Sequence, residues 1–257
     1  MTHEAEYYDN MVKLLELVWG EGYMAPGGPG NVAKLLEGTA AAGKQILDIG
    51  CGLGGPALEM ARTHGATVTG IDLEAPLIEK AKAYATAAGL QDQCTFVCVE
   101  PGPLSFADAS FDIVISSGAI TQTDDKESIF AEILRVLRPG GYFSCYEWTS
   151  SGAEPSDDMR YWMKLEELTY AFKTLDEYHQ LLAAAGFENV NSEDASAWYG
   201  KEAQREYELM SGDLYAPMVE LIGQSDADHF VEDWRAMVIV CQSGEMRQGY
   251  CRGQRPA

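Results

Sequence analysis

Residues 45–56, QILDIGCGLGGP, restrict the fold of this chain more than any other stretch. They begin with a short apolar run, which is typical of a buried strand. Glycines at 50, 52 and 55 then match the spacing G-x-G-x-x-G, and Pro56 suits the first turn of a helix that continues to about His64. Glycines let a backbone approach a ligand closely, and the start of a helix presents free N–H groups. The segment therefore predicts a strand–loop–helix unit that binds a small ligand.

Strand and helix patterns alternate along the rest of the chain. After the first strand, strand-like runs occupy residues 67–73, 94–99, 111–117, 142–148, 187–194 and 245–253. Strands separated by helices favour a parallel sheet, with ligands at the carboxyl ends of the strands. We therefore predict an α/β fold with a Rossmann-like, doubly wound, mostly parallel seven-stranded sheet and a helical lid.

The segments around this core suggest three parts. Residues 4–19 have an apolar helical stripe, residues 20–31 are rich in Gly and Pro, and residues 153–185 and 199–235 again look helical. We expect an N-terminal helical cap at 1–44, a ligand-binding core at 45–152, and lid helices with the last strands at 153–257.

Composition excludes several classes of partner. The chain has 40 Asp and Glu against 18 Lys and Arg, a net charge of −22, so nucleic acid and anionic membrane surfaces are poor partners. No stretch approaches the ~18 apolar residues of a membrane span, and the first ten residues are too acidic and polar for a signal peptide. Six cysteines without a C-x-x-C pair suggest buried, reduced thiols and no metal site. We expect a cytoplasmic protein that acts on a small molecule.

Two acids help to identify the ligand of the glycine loop. Asp72 ends the second strand, where a carboxylate can bind two ribose hydroxyls, and nicotinamide enzymes share this feature. Asp48 lies beneath the loop, where its charge would repel a pyrophosphate but would accept hydrogen bonds from an ammonium group. S-adenosylmethionine has an ammonium, a sulfonium and no phosphate. The two acids therefore favour S-adenosylmethionine over NAD.

Residues 45–150 resemble the class I S-adenosylmethionine-dependent methyltransferases. The resemblance lies in DIGCG for the signature acid-x-Gly-x-Gly, in GIDL for the acid after the second strand, and in LRPGG for the turn after a later helix. Segments of the core, including ILDIGCGLGGPALEMA and YEW, are similar to sterol C-methyltransferases. The two ends of the chain look more like phosphoethanolamine N-methyltransferases and the glycine-betaine-forming sarcosine/dimethylglycine enzymes.

This resemblance implies a set of cofactor-binding residues. Gly50, Gly52 and Gly54 line the methionine end of the cofactor, together with Asp48. The ribose is held by Asp72 and Leu73, the adenine by Glu100 and Pro101, and the sulfonium lies near Ser116 and Ser117. Glu100 and Pro101 stand where the family normally has an Asp or Asn.

The residues implied for the methyl acceptor depart further from the family. Tyr7, Trp148 and Tyr170 match its aromatic positions, whereas Gly118 and Gln122 replace an Asp and a His, and Leu168 replaces a phosphate-binding Arg. Binding a phosphate dianion without cations would cost several kcal/mol, so phosphoethanolamine is an unlikely substrate. Aromatic faces suit an alkylated amine. Glu147 and Gln122 are the polar candidates for orienting the acceptor or receiving a proton.

These observations predict a small-molecule methyltransferase that uses S-adenosylmethionine, with N-methylation of a small amine of the betaine or choline-precursor type as the leading function. Two alternatives stay open. One is C-, S- or O-methylation of a more apolar metabolite, as in the sterol enzymes. The other is a protein that binds S-adenosylmethionine without turnover, because the expected catalytic Asp and His are replaced.

Overall fold

The computed structural model of the chain describes residues 3–166, 168 and 170–257, without the side chains of residues 3–8. Its strands are β1 Gln45–Ile49, β2 Thr67–Asp72, β3 Cys94–Cys98, β4 Phe111–Ser117, β5 Leu137–Ser150, β6 Glu188–Asp194 and β7 Met246–Gln254. Its helices are α1 His3–Trp19, α2 Gly28–Leu35, α3 Gly55–His64, α4 Ala75–Ala87, α5 Lys126–Val136, α6 Asp157–Glu166, α7 Leu175–Ala185, α8 Ser196–Ser211, α9 Tyr215–Ile222 and α10 Gln224–Gln242. A short 3-10 turn, Ile120–Gln122, follows β4.

The seven strands form one sheet in the order β3-β2-β1-β4-β5-β7-β6. Strands β1 to β5 run parallel to one another, and β7 lies between β5 and β6 and is antiparallel to both. The predicted Rossmann-like, mostly parallel seven-stranded sheet is therefore confirmed. The strand order reverses between β1 and β4, and in such sheets ligands bind outside the carboxyl ends of the strands at this point.

Helices cover both faces of the sheet. Ile46 packs with α2, α3 and α4 on one face, and the next residue, Leu47, packs with α5 and α7 on the other. Both faces of β1 are thus apolar, which explains why its sequence reads as a continuous apolar run rather than an alternating one.

A helical layer, formed by α1, α6, α8, α9 and α10, packs near the carboxyl end of β5 and includes Trp148 in its contacts. The buried Glu206 on α8 ties α1 to this layer by accepting hydrogen bonds from the indoles of Trp19 (2.7 Å) and Trp234 (3.0 Å). Burial raises the pKa of Glu206, and the two indole donors oppose that effect. No helix in the described ranges is long and apolar enough to cross a membrane.

Some element bounds differ from those expected. β5 begins at Leu137 rather than at residue 142, because Leu137 pairs with Phe111 before the register shifts. The helical pattern over 153–185 is divided between α6 and α7, and α7 starts at a capping box of Thr174 and Glu177. Cys98, expected among the buried thiols, is exposed at the end of β3.

Candidate functional site

The glycine loop after β1 is fixed by backbone hydrogen bonds to β2. The N–H groups of Gly50 and Cys51 both donate to the carbonyl of Ile71, at 2.9 and 3.0 Å. Gly50 has a positive φ of 70°, and a Cβ added to it would lie 2.1 Å from the Cβ of Ala119. Only glycine fits this position, because a side chain would collide with the loop that follows β4. The loops after β1 and β4 therefore meet, as the sheet order requires.

Asp48, the acid beneath this loop, is 1% exposed, and its Oδ2 has no hydrogen-bond partner in the described part of the chain. Burial, together with the nearby charge of Asp72, raises the pKa of Asp48 to about 7. A buried carboxylate without a partner is costly unless a cationic or hydrogen-bonding group reaches it. The position is therefore suited to a ligand that brings hydrogen-bond donors or positive charge.

Asp72, at the end of β2, is held by two backbone donors. Its Oδ2 accepts from the N–H of Gly52 at 2.9 Å, and its Oδ1 accepts from the N–H of Glu74 at 3.0 Å. These bonds fix the half-buried carboxylate at the edge of the glycine loop. Leu73, Glu100 and Pro101 are exposed on the same side, after β2 and β3.

The Gly/Pro-rich segment 20–31 covers the glycine loop. The N–H of Gly55 donates to the carbonyl of Gly22 at 2.9 Å, and the N–H of Gly22 donates to Glu16 Oε1 at 2.8 Å. The sulfur of Met24 lies 3.0 Å from where a Cβ on Gly52 would be. Between this segment and the loop is a cavity of about 40 Å³, with Asp48 in its lining.

The two serines at the end of β4 point to opposite faces of the sheet. Ser117 lines the cavity, while the fully buried Ser116 donates from its hydroxyl to Glu147 Oε1 at 3.3 Å. Asn31, which was not singled out from the sequence, donates from its amide to Ser117 Oγ at 3.1 Å and accepts from the Tyr250 hydroxyl at 2.7 Å. Asn31 and Ser117 are 86 residues apart, so no local pattern joins them.

Glu147 is buried and accepts hydrogen bonds from the N–H groups of Ile120 (3.2 Å) and Thr121 (2.9 Å). Burial raises its pKa to about 7, against the opposing effects of these donors and of Lys126. The Lys126 ammonium donates to the carbonyls of Thr123 (2.6 Å) and Ala171 (2.7 Å). Glu147 and Lys126 thus hold the turn after β4, and Gln122 is exposed on that turn.

Stacked aromatic rings connect this turn to the helical layer. Trp148 lies beside Gly118 and stacks on Trp162, with ring centroids 6.3 Å apart. Trp162 stacks in turn on Tyr170 at 5.4 Å, and the Tyr170 hydroxyl donates to Glu166 at 2.8 Å. The structure therefore brings Trp148 and Tyr170 into one stack, through a tryptophan that the sequence analysis did not select.

Two remaining expectations concern Tyr7 and metal ions. The side chain of Tyr7 lies outside the described residues. Over the described part of the chain, no group of three or more His, Cys, Asp or Glu side chains is arranged to hold a metal ion.

Comparisons with known proteins agree with this geometry. Residues 47–145 match the family described as Methyltransferase domain. The phosphoethanolamine N-methyltransferase 1 of Zea mays is 28% identical over 235 residues, which are 91% of this chain and 46% of that protein. A sterol 24-C-methyltransferase of Gibberella zeae is 37% identical over 161 residues, which are 60% of this chain and 42% of that one. The chain thus spans about half the length of the curated relatives it matches.

A solved structure extends the likeness to the whole fold. Phosphoethanolamine N-methyltransferase 2 of Haemonchus contortus, in complex with phosphomonomethylethanolamine and S-adenosylhomocysteine, superposes with a TM-score of 0.90 at 22% identity, covering 98% of this chain and 59% of that one. The resemblance seen in the sequence motifs is therefore confirmed. Residues 47–145 match the Methyltransferase domain family, and the chain has the fold of a class I methyltransferase.

Proposed function

We propose that this protein transfers a methyl group from S-adenosylmethionine to the nitrogen of a small amine. The observation that carries the proposal is the buried carboxylate of Asp48, whose Oδ2 has no partner among the described residues, beneath a glycine loop that has a second carboxylate, Asp72, at its rim. Two carboxyl groups at this loop fit a ligand with an ammonium and a sulfonium, whose positive charge favours their ionised forms, and they disfavour a pyrophosphate.

The residues of the loop suit this cofactor. Asp48 would accept hydrogen bonds from its ammonium group, directly or through water, and Asp72 would accept from the ribose hydroxyls. Leu73, Glu100 and Pro101 would form the adenine side of the site. Gly50, Gly52 and Gly54 leave room for close backbone approach, and Ser117 would face the sulfonium end. When bound, S-adenosylmethionine supplies an electrophilic methyl group.

The acceptor would lie between the turn after β4 and the helical layer. Trp148 and Tyr170 offer aromatic faces to an alkylated amine, and Tyr7 is proposed to close the same site from the N-terminal cap. Glu147, with Ser116, would set the shape of the turn that carries Gln122 and so would position the acceptor. Exclusion of water by the cap and by the helices of residues 153–235 would leave the amine lone pair free to attack.

The relatives support an amine as acceptor. Those matched over nearly the whole chain are named phosphoethanolamine N-methyltransferases, whereas the sterol enzymes match about 60% of it. The chain lacks the phosphate-binding Arg expected from the family, so we propose an amine without a phosphate. We further propose that the protein works in the cytoplasm, where its free cysteines would stay reduced.

Calorimetry and turnover test the proposal together. S-adenosylmethionine and NAD would be titrated into the wild type, into Asp72→Ala and into a control, Asp92→Ala, at an exposed acid after α4. We expect binding of S-adenosylmethionine alone, weakened roughly tenfold or more in Asp72→Ala and unchanged in the control. Preferential binding of NAD would contradict the choice of cofactor.

Labelled S-adenosylmethionine would then be incubated with glycine, sarcosine, dimethylglycine, ethanolamine, phosphoethanolamine, thioethers and sterols. Methylation of a phosphate-free amine is the expected result. Methylation of a sterol or a thioether in place of the amines would establish the C- or S-methylation alternative. Cofactor binding without turnover of any compound would leave a non-catalytic binding protein and refute the proposed reaction.

A further inference from the structure

Gln248 in β7 has a buried side-chain amide without a partner among the described residues. The residue is 1% exposed, and neither its Nε2 nor its Oε1 makes a hydrogen bond within that part of the chain. Its backbone is satisfied, since the N–H donates to Ser196 Oγ at 3.3 Å and the carbonyl accepts from the N–H of Ala195 at 2.9 Å. Buried side-chain amides nearly always have at least one partner, and one without any destabilises the fold. Folding alone therefore gives no reason for a glutamine at this position.

A second unpartnered polar group lies beside it. The hydroxyl of Tyr146 is fully buried and makes no hydrogen bond to any residue that the structure describes. In the β5–β7 ladder Trp148 pairs with Gln248, and Tyr146 pairs with Tyr250. Paired residues share a face of the sheet, as do residues two apart along a strand, so Tyr146 and Gln248 are diagonal neighbours on one face, within reach of long side chains.

This face continues to the candidate cofactor site. Ser117, in the cavity lining, pairs with Tyr146 in the β4–β5 ladder and therefore lies on the same face. Trp148 links the two regions, because its indole lies beside Gly118, the residue after Ser117. A molecule that places one atom at Ser117 could therefore reach along Trp148 towards Gln248.

Aromatic rings surround Gln248 and the Tyr146 hydroxyl. Trp148 makes an edge contact with Tyr199, with ring centroids 5.1 Å apart, and Tyr146 packs on Tyr250 at 4.9 Å. An amide and a phenol together can both donate and accept hydrogen bonds. Two charged side chains near this face are already engaged: Glu206 accepts hydrogen bonds from Trp19 and Trp234, and Arg252, which lies over the ring of Tyr250, donates to Glu193. A charged ligand group would therefore lose its hydration here without a free counter-charge, whereas an uncharged hydroxyl could hydrogen-bond to the amide and the phenol.

We propose that Gln248 and the Tyr146 hydroxyl recognise an uncharged hydrogen-bonding group, of the alcohol type, on the part of the methyl acceptor distant from the methylated atom. The inference rests on the proposed function, because it assigns one end of that acceptor. It makes Gln248 a specificity-determining residue, with a side chain retained for the ligand at the expense of the stability of the free protein.

Two amines that differ in one group provide the test. N,N-dimethylethanolamine carries a hydroxyl where N,N-dimethylpropylamine carries a methyl group of similar size. The kcat/KM values of both amines would be measured for the wild type, Gln248→Leu, Tyr146→Phe and a control, Gln254→Leu. The control makes the same Gln-to-Leu exchange on the same strand, at a side chain that bonds to Asn189 instead. Urea unfolding of each protein without ligand supplies a readout that is independent of activity.

We expect the wild type and Gln254→Leu to prefer the alcohol on the order of tenfold, and Gln248→Leu to lose that preference. Tyr146→Phe should lose part of it. In urea, the unfolding constant of Gln248→Leu should fall roughly tenfold, because an unpaired buried amide has been removed.

An unchanged preference in Gln248→Leu, with active wild type, would overturn the inference and leave the proposed function standing. If the wild type methylates neither amine, the proposed function fails for this class of acceptor, and the unfolding data decide the inference on their own. Greater stability of Gln248→Leu would then support a ligand-directed side chain. Lower stability would overturn it, because the amide would have a structural role.

Discussion

Replacing Asp48 by Asn should stabilise the free protein at alkaline pH and leave it unchanged in acid. Burial raises the pKa of Asp48 to about 7, from an ordinary value of 3.8. A carboxyl whose pKa is raised in the folded protein ionises first in the unfolded chain. The free energy of unfolding therefore falls as the pH rises from the pKa of the unfolded chain to the pKa of the folded protein. The difference of about 3 pH units corresponds to roughly 4 kcal/mol above pH 7, and the effect vanishes below about pH 4.

Urea unfolding of the wild type and Asp48→Asn at pH 4.5 and pH 8 measures this effect. Other titrating groups, including Glu147, cancel when the two proteins are compared at each pH. At pH 8 the variant should be more stable by up to about 4 kcal/mol, and at pH 4.5 by no more than about 1 kcal/mol. Asp92→Asn, at an exposed acid, should show no such dependence. Equal differences at both pH values would refute the electrostatic account.

Two further substitutions test other contacts. Gly50→Ala places a Cβ 2.1 Å from that of Ala119, so we expect the protein to lose about 3 kcal/mol of stability, as at other overpacked sites, measured by thermal melting. Adding Ala119→Gly should restore part of this stability. No recovery would show that backbone strain, rather than the collision, causes the loss. Lys126→Met removes the donor to the carbonyls of Thr123 and Ala171 and should cost roughly 3 kcal/mol in urea, whereas Lys82→Met, in an exposed ion pair, should cost about 0.5 kcal/mol or less. Equal losses in the two lysine variants would show that the turn after β4 does not depend on Lys126.

The succession of strands and helices along the chain could be predicted from the sequence because each element depends on a local pattern. The run at 45–49, the glycines after it and the acid that ends β2 lie within 30 residues, and their spacing alone predicts a strand–loop–helix unit. The start of β5 was missed, because the pairing of Leu137 with Phe111 precedes a glycine turn that looked like the end of a helix.

The parts of the site that escaped prediction depend on contacts between distant segments. Asn31 reaches Ser117 across 86 residues, and Trp162 enters the aromatic stack only because α6 packs near the end of β5. The separation of Ser116 from Ser117 was predictable in principle, because neighbouring side chains of a strand point to opposite faces. Gln248 carries no signal in the sequence, since an unpartnered amide is visible only once its surroundings are known.

The glycines of the motif are also required for packing within the chain, whether or not a ligand binds. A side chain at Gly54 would press on the ring of Phe96 at 2.7 Å, and one at Gly55 would press on the carbonyl of Gly22 at 2.4 Å. With the contacts of Gly50 and Gly52 already described, each of these four glycines gives room to another part of the same chain. Selection for packing would therefore preserve the motif in a descendant that had stopped binding nucleosides. In sequences of this kind, the acid at 48 is the better marker of a working cofactor site, because the acid at 72 also holds two backbone N–H groups.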